Sequence, residues 1–450
     1  MRAFAGCAPS HPFANQEVVV RVVNPAFRVI RARVRPWVAL GLLAVIAGAA
    51  AQTAADTTAL GRDLRGVLDF LESRNPELKA MSLEADAARQ RFGVASALPD
   101  PMLSMELRDV PVSDPTLSPA NAGSTRYAVK QMFPLGDKRG LRRGVAEAGV
   151  AAADARRTAT LAELRMKAKT AYSQYWYATQ AHRVTEGVRS LMADLEQIAR
   201  ARYGTGLVPQ QDVIKAQTEV TAMRTELLML TSERRQSAAR LNGVLARPAD
   251  APLADAEMPR EIPAQALDFA ALTKAAAERN PQLAVQAAQL TGAARNADLV
   301  RANRWPDLTF GVAGIQRGTR LTEYELMVEV NIPWQRDVLR ANESEALAMR
   351  SAAEAKRDAA AVQLQSELGE NWAALDALRD QASILRDTLL PQSQLTFDSA
   401  LSAYQSGRVD FGTLLDAQRQ IRKTRLDLLK VQLEQQMRLA EIERIVGEDL

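Results

Sequence analysis

The chain of 450 residues is 47% hydrophobic and 24% charged, too apolar for a disordered polymer and long enough for one or two buried cores. Its formal charge of +4 comes from residues 1–51, where Arg2, Arg21, Arg28, Arg31, Arg33 and Arg35 face the single acid Glu17; beyond them the 57 bases and 53 acids of the whole fall to 51 and 52, a net charge of −1. That remainder carries no basic footprint and excludes nucleic acid as a partner.

Residues 1–51 read as a presequence with a signal peptide. Arg31 to Arg35 form the charged flank, Trp37 to Ala47 the apolar stretch, and Ala49 and Ala51 the small residues before a cleavage near Ala51. The apolar run is shorter than the roughly 20 residues a helical span needs. Cys7 and His11 lie in this segment, so the mature chain has no cysteine and one histidine, His182. Disulfides, thiolate zinc sites and cysteine nucleophiles are thereby excluded.

Residues 52–98 form the helical start of a first unit and contain "RNPEL" at 74–78. Between 99 and 134 the apolar period changes to 2. In "LSMELRD", Leu103, Met105 and Leu107 oppose Ser104, Glu106 and Arg108; in "RYAVKQMF", Tyr127, Val129 and Phe133 oppose Arg126, Ala128 and Lys130. Residues 135–246 are proline-free from Pro134 to Pro209 and rich in helix formers. They predict a helix from about Lys138 to Tyr203, a turn at "YGTGLVP", and a return helix whose 3-4 spaced residues Val213, Ala216, Val220 and Met223 form a heptad seam.

Residues 247–304 are a linker and a second helical start, with "RNPQL" at 279–283. Two more strands follow in 305–334. Leu308, Phe310 and Val312 alternate with small residues; Tyr324, Leu326, Val328, Val330 and Ile332 oppose Glu323, Glu325, Met327, Glu329 and Asn331. Residues 335–450 repeat the helical hairpin around "YQSGRVD", with Leu414, Ala417, Ile421 and Thr424 in the same seam register, 201 positions after their counterparts. Pro391 predicts a kink or break ahead of that turn. The unit of about 200 residues is thus written twice.

Each strand approaches the 9–11 residues of a tilted membrane strand, and the non-apolar face of three of them carries charges suited to a water-filled lumen: Glu106, Arg108, Arg126, Lys130, Glu323, Glu325 and Glu329. Strand edges cannot stay unpaired in lipid, and four strands are too few to close a barrel. The chain therefore predicts an oligomer that shares strands between copies, in an outer membrane, continued by helices into the periplasm.

The two repeats, the paired "RNPEL" and "RNPQL", the "LPDP" opening of the first strand, and the tips "Y-x-x-G-x-x-x-x-x-D-V" and "L-L-D-A-Q" resemble the TolC family of outer-membrane efflux channels over about residues 60–448. "LPDPMLSMEL" with "QMFPLGDKRGLRR" looks most like its heavy-metal and cation efflux branch. The resemblance implies a mainly α protein with a membrane β-barrel: a homotrimer with a 12-stranded barrel, an α-helical tunnel of roughly 100 Å and an equatorial collar from residues 52–80, 247–280 and the C-terminal end. It implies no enzyme activity and no cofactor, but a passive exit duct fed by an inner-membrane pump of the RND type through a periplasmic adaptor. Thr205, Gly206, Leu207, Ser406, Gly407 and Arg408 match adaptor-contacting tips. Asp416 matches the aspartate lining the closed periplasmic entrance, and Asp212 a position that ties to Tyr404; the family's second ring aspartate falls on Thr413.

A periplasmic adaptor would carry one hairpin between Gly-rich strands, whereas this chain carries two without them. The same elements would also serve a structural coiled-coil protein or a type I secretion outlet of the same fold. Met102 and Met105 are soft-metal candidates in principle, but Met105 lies on the lipid-facing register and methionine is a common filler.

Overall fold

The computed structural model describes residues 60–450 apart from 111, 113–114, 116, 258–259, 261 and 263–267; the signal peptide and its cleavage point lie outside them. The chain opens with α1 (Leu64–Arg74) and α2 (Pro76–Val94), then β1 (Met102–Arg108) and β2 (Ser124–Pro134). α3 (Lys138–Gly204) and α4 (Gln210–Val244) form the first hairpin. The order then recurs: α5 (Phe269–Arg279), α6 (Pro281–Ala302), β3 (Asp307–Arg317), β4 (Arg320–Asn331), then α7 (Arg336–Ser383), α8 (Leu390–Gln405) and α9 (Phe411–Val446). The 67 residues of α3 extend about 100 Å. Such a helix cannot bury a face alone: it packs on α2 and α6 toward the sheet and on α4 and α9 toward the tips.

The repeated Arg-Asn-Pro is a helix break fastened to the body. Asn75 accepts hydrogen bonds from the Glu77 and Leu78 backbone N–H groups, while its Nδ2 donates to the Val244 carbonyl at 3.0 Å. One repeat later Asn280 accepts from the Leu283 N–H and its Nδ2 donates to the Ile445 carbonyl at 2.7 Å. Each asparagine caps one helix and ties the break to the end of the returning helix, and the following proline stands where a missing N–H is harmless. Around these breaks lie two equivalent cores: Leu71, Tyr172, Tyr175, Trp176 and Leu241 in the first, Leu272, Leu368, Leu375, Ile442 and Ile445 in the second. A buried ion pair joins the two repeats here, Lys169 Nζ to Glu443 Oε2 at 2.8 Å.

Pro391 neither ends the second long helix nor leaves it regular. Residues Ile384–Leu389 widen into a π-helical turn and α8 resumes immediately, with Pro391 in its first turn. The proline supplies no N–H to the preceding turn, and the wider winding absorbs the displaced carbonyls.

The strands form one antiparallel sheet in the order β1-β2-β3-β4, leaving the outer edges of β1 and β4 unpaired among the described residues. Register places Glu106, Arg126, Ile315 and Glu323 in one row, then Ser104, Ala128, Ala313 and Glu325, then Met102, Lys130, Gly311 and Met327. β1 has 7 residues, shorter than the expected 9–11, because the chain turns at Asp109, which has φ of 56°.

Candidate functional site

The two faces of the sheet differ as the alternation predicts. On one, Leu103 (80% exposed), Tyr324 (78%) and Leu326 (87%) stand clear of the protein. Phe133 and Phe310 meet edge to face there at 5.8 Å, and Trp305 and Trp334 are exposed beside the helical end of the strands. On the other face the seven polar residues predicted for the lumen lie together. Arg126 Nε contacts Glu325 at 2.7 Å, Lys130 contacts Glu329 at 3.3 Å, Arg108 contacts Glu106 at 2.6 Å, and Arg317 contacts Glu323 at 3.2 Å. Apolar side chains outward with charged ones inward suit a barrel wall between lipid and water. Met105 stays on the apolar face, opposite Tyr127, whereas Met102 is on the charged one, opposite Lys130.

At the far end, the two hairpin turns are built alike. The Leu207 N–H reaches back to the Arg202 carbonyl at 2.9 Å and the Gly206 N–H to Tyr203 at 2.9 Å; Arg408 reaches Ala403 at 2.8 Å and Gly407 reaches Tyr404 at 3.0 Å. This helix-ending pattern needs a left-handed residue, and Gly206 and Gly407 have φ of 77° and 74°. No heavy atom lies within 4 Å of where a Gly206 side chain would start. Thr205, Leu207 and Ser406 are exposed beside these glycines, and Arg408 follows Gly407 on the same bare end.

Just above the turns sits a core of Met192, Leu195, Ala216, Tyr404, Phe411 and Leu414. Tyr404 packs edge to face on Phe411 at 5.4 Å. Asp212 is buried rather than on a solvated surface, yet no hydrogen bond joins it to Tyr404, whose hydroxyl has no partner among the described residues. The tie runs through Arg202 instead. Its guanidinium lies over the Tyr404 ring at 5.1 Å and donates to the Tyr404 carbonyl, linking the first tip to the second. Two further ion pairs join α9 to α4: Arg419 Nη2 to Glu219 at 2.8 Å, and Arg422 to Glu226.

Asp416 faces outward, 80% exposed, and its one ion-pair contact among the described residues is Arg419 at 3.8 Å. Thr413 is engaged in capping α9: its N–H and hydroxyl both donate to Asp410 at 2.8 Å, which holds that carboxyl below its ordinary value. Nothing in the local sequence marks Arg202, Glu219 or Glu226, whose partners lie about 200 residues away.

Burial raises the Asp212 carboxyl above 3.8; Lys215 and Arg202 pull it down and Asp410 pushes it up. The folded tip therefore holds this proton more tightly than the unfolded chain, and stability falls as pH rises from 3.8 through the raised value. Asp212→Asn should accordingly gain on the wild type in thermal unfolding as pH increases over that window. A gap independent of pH contradicts this.

Comparison with known proteins places this geometry. The family model described as "Outer membrane efflux protein" matches residues 67–247 and 272–448. The chain belongs to the outer membrane efflux protein family. One matched segment falls in each run of the recurring element order. It is 25% identical over 389 residues to the cobalt-zinc-cadmium resistance protein CzcC of Cupriavidus metallidurans, covering 85% of this chain and 90% of CzcC. The fold is that of CusC (TM-score 0.71, 16% identity, 86% of this chain and 92% of that one). It is equally that of the outer membrane protein VceC from Vibrio cholerae (TM-score 0.71, 15% identity, 86% and 96%). The protein is an outer-membrane channel of the tripartite efflux type, with its helical part in the periplasm. Its family works with an adaptor and an inner-membrane pump.

Proposed function

We propose that three copies of this chain join their sheets edge to edge into a 12-stranded barrel, and that the tube exports heavy-metal cations delivered by an RND-type pump through its adaptor. The observation that carries this is the four-stranded sheet, with two edges unpaired among the described residues, one apolar face and one charged face. Such a sheet is stable in lipid only when further strands close it. Similarity to CzcC supports cobalt, zinc and cadmium ions as cargo.

The lumen is lined by Glu106, Arg108, Arg126, Lys130, Glu323, Glu325 and Glu329. The periplasmic gate is formed by Asp416 with Asp212 and Tyr404, and the adaptor meets Thr205, Gly206, Leu207, Ser406, Gly407 and Arg408. The protein performs no chemistry and carries no cofactor; energy comes from the pump.

Small residues at the tips let another coiled coil approach end on. Replacing both Gly206 and Gly407 with tryptophan is expected to abolish metal efflux while the trimer persists in the outer membrane, scored by growth on cobalt, zinc and cadmium. Unimpaired tolerance in cells carrying that variant rules out tip docking. Tolerance unchanged by loss of the whole gene rules out these cations as cargo.

A further inference from the structure

The glutamine of the Ala-Gln pair after each hairpin turn has two fates. In the first repeat Gln217 is exposed and its Nε2 donates to Glu196 at 3.2 Å. In the second, Gln418 is 0% exposed, and neither its amide nitrogen nor its amide oxygen has a hydrogen-bond partner among the described residues. It lies on α9 among Leu414, Leu415, Ala417 and Ile421, all part of the tip core. The Tyr404 hydroxyl in the same core is likewise unpartnered, as is Thr185 Oγ1 one turn from Val188 at the core's edge.

An amide without partners in an apolar core has lost its water and gained nothing for it. An unsatisfied buried group costs its full desolvation penalty, so its presence here disfavours the packed arrangement relative to any state that hydrates it. The packed arrangement is held by ties between the hairpins: Arg202 on Tyr404, Arg419 on Glu219 and Arg422 on Glu226. The tip thus combines a set of peripheral charged ties with a centre that gains from separation, the conditions for a two-state element.

We propose that Gln418 biases the periplasmic gate toward opening: its amide is unpaired while the hairpins are packed together and becomes hydrated when the second hairpin moves away from the first. An incoming partner then has only the arginine ties to break. The proposal rests on the channel reading above and names the residue that sets its resting balance.

Single-channel recording of the full-length protein in planar bilayers, with thermal unfolding of the same preparations, tests it. Gln418→Met and Gln418→Leu are expected to keep the assembly, raise the unfolding temperature and lower the open probability about tenfold. Glu219→Gln, which loosens a tie, should raise the open probability. Unchanged or increased opening in both Gln418 variants overturns the proposal. So does a fall in unfolding temperature or loss of assembly, the outcome for an amide that is hydrogen-bonded in the native core. A wild-type protein that passes no current refutes the channel reading and this proposal together; a conducting wild type with indifferent Gln418 variants refutes this proposal alone.

Discussion

Glu443→Met is expected to cost the folded chain about 3–5 kcal/mol, the loss typical when one partner of a buried ion pair is removed. Glu443 is 4% exposed and is shared by three donors: Lys169 Nζ at 2.8 Å, the Arg260 guanidinium, and the Leu450 backbone N–H at 3.0 Å. Without it, a Lys169 ammonium that is itself 4% exposed keeps, among the described residues, only Asp449, and Arg260 loses this carboxylate. Burial alone would raise the Asp449 carboxyl, but Lys169, with Arg165 and Arg260, holds it below its ordinary value, so Asp449 remains an anion beside the gap.

Changing Lys169 and Glu443 to methionine together should recover much of the loss, because two buried charges are then removed as a pair. Thermal or denaturant unfolding of the single and double variants measures the coupling. A single Glu443→Met that costs less than about 1 kcal/mol contradicts the buried pairing. The consequence reaches beyond one helix, since this pair joins α3 of the first repeat to α9 of the second.

Asp416→Asn carries the second large effect, a fall on the order of tenfold in the cation-to-anion permeability ratio of the channel. Two charged regions differ in their balance. On the polar face of the sheet Glu106, Glu323, Glu325 and Glu329 are each matched by a base, Arg108, Arg317, Arg126 and Lys130 respectively, so that wall is close to neutral. Asp416 is not matched in this way. Its nearest base, Arg419, stands 3.8 Å away and is engaged at 2.8 Å with Glu219. In the proposed trimer, an uncompensated carboxylate repeated at the periplasmic entrance would draw cations toward it and weaken closure through mutual repulsion. Reversal potentials in a salt gradient give the ratio directly. Glu325→Gln serves as the comparison and should move it less; an Asp416→Asn channel as cation-selective as the wild type removes the ring from the account.

Much of the architecture was legible because it repeats or alternates. The long first helix was expected from Lys138 to Tyr203 and runs to Gly204, since Pro134 and the left-handed Gly206 bound it from outside. The strand faces followed from a period of 2, which leaves no freedom once one side must be apolar. The asparagines of the two Arg-Asn-Pro sites stood out only as repetition; their role as caps that also grip the returning helix became visible in the fold. The side-chain ties of the tip could not be read this way. Arg202 meets Tyr404, and Arg419 meets Glu219, across about 200 residues of chain, and no local spacing encodes such a meeting. Gln217 and Gln418 illustrate the limit: both follow a buried alanine of the tip core at the same point of the repeat, yet the glutamine is exposed in one hairpin and enclosed in the other. Pro391 was legible as a disturbance, and its form, a widened turn within a continuing helix, depends on the neighbours that hold α7 and α8 in line.

All of this depends on one chain supplying only part of a closed barrel. Native mass measurement of the purified protein in lipid nanodiscs, on particles that also conduct in planar bilayers, tests it most directly. Three chains per conducting particle is the predicted result; a single chain that remains folded in lipid with both strand edges open, and passes no current, contradicts it.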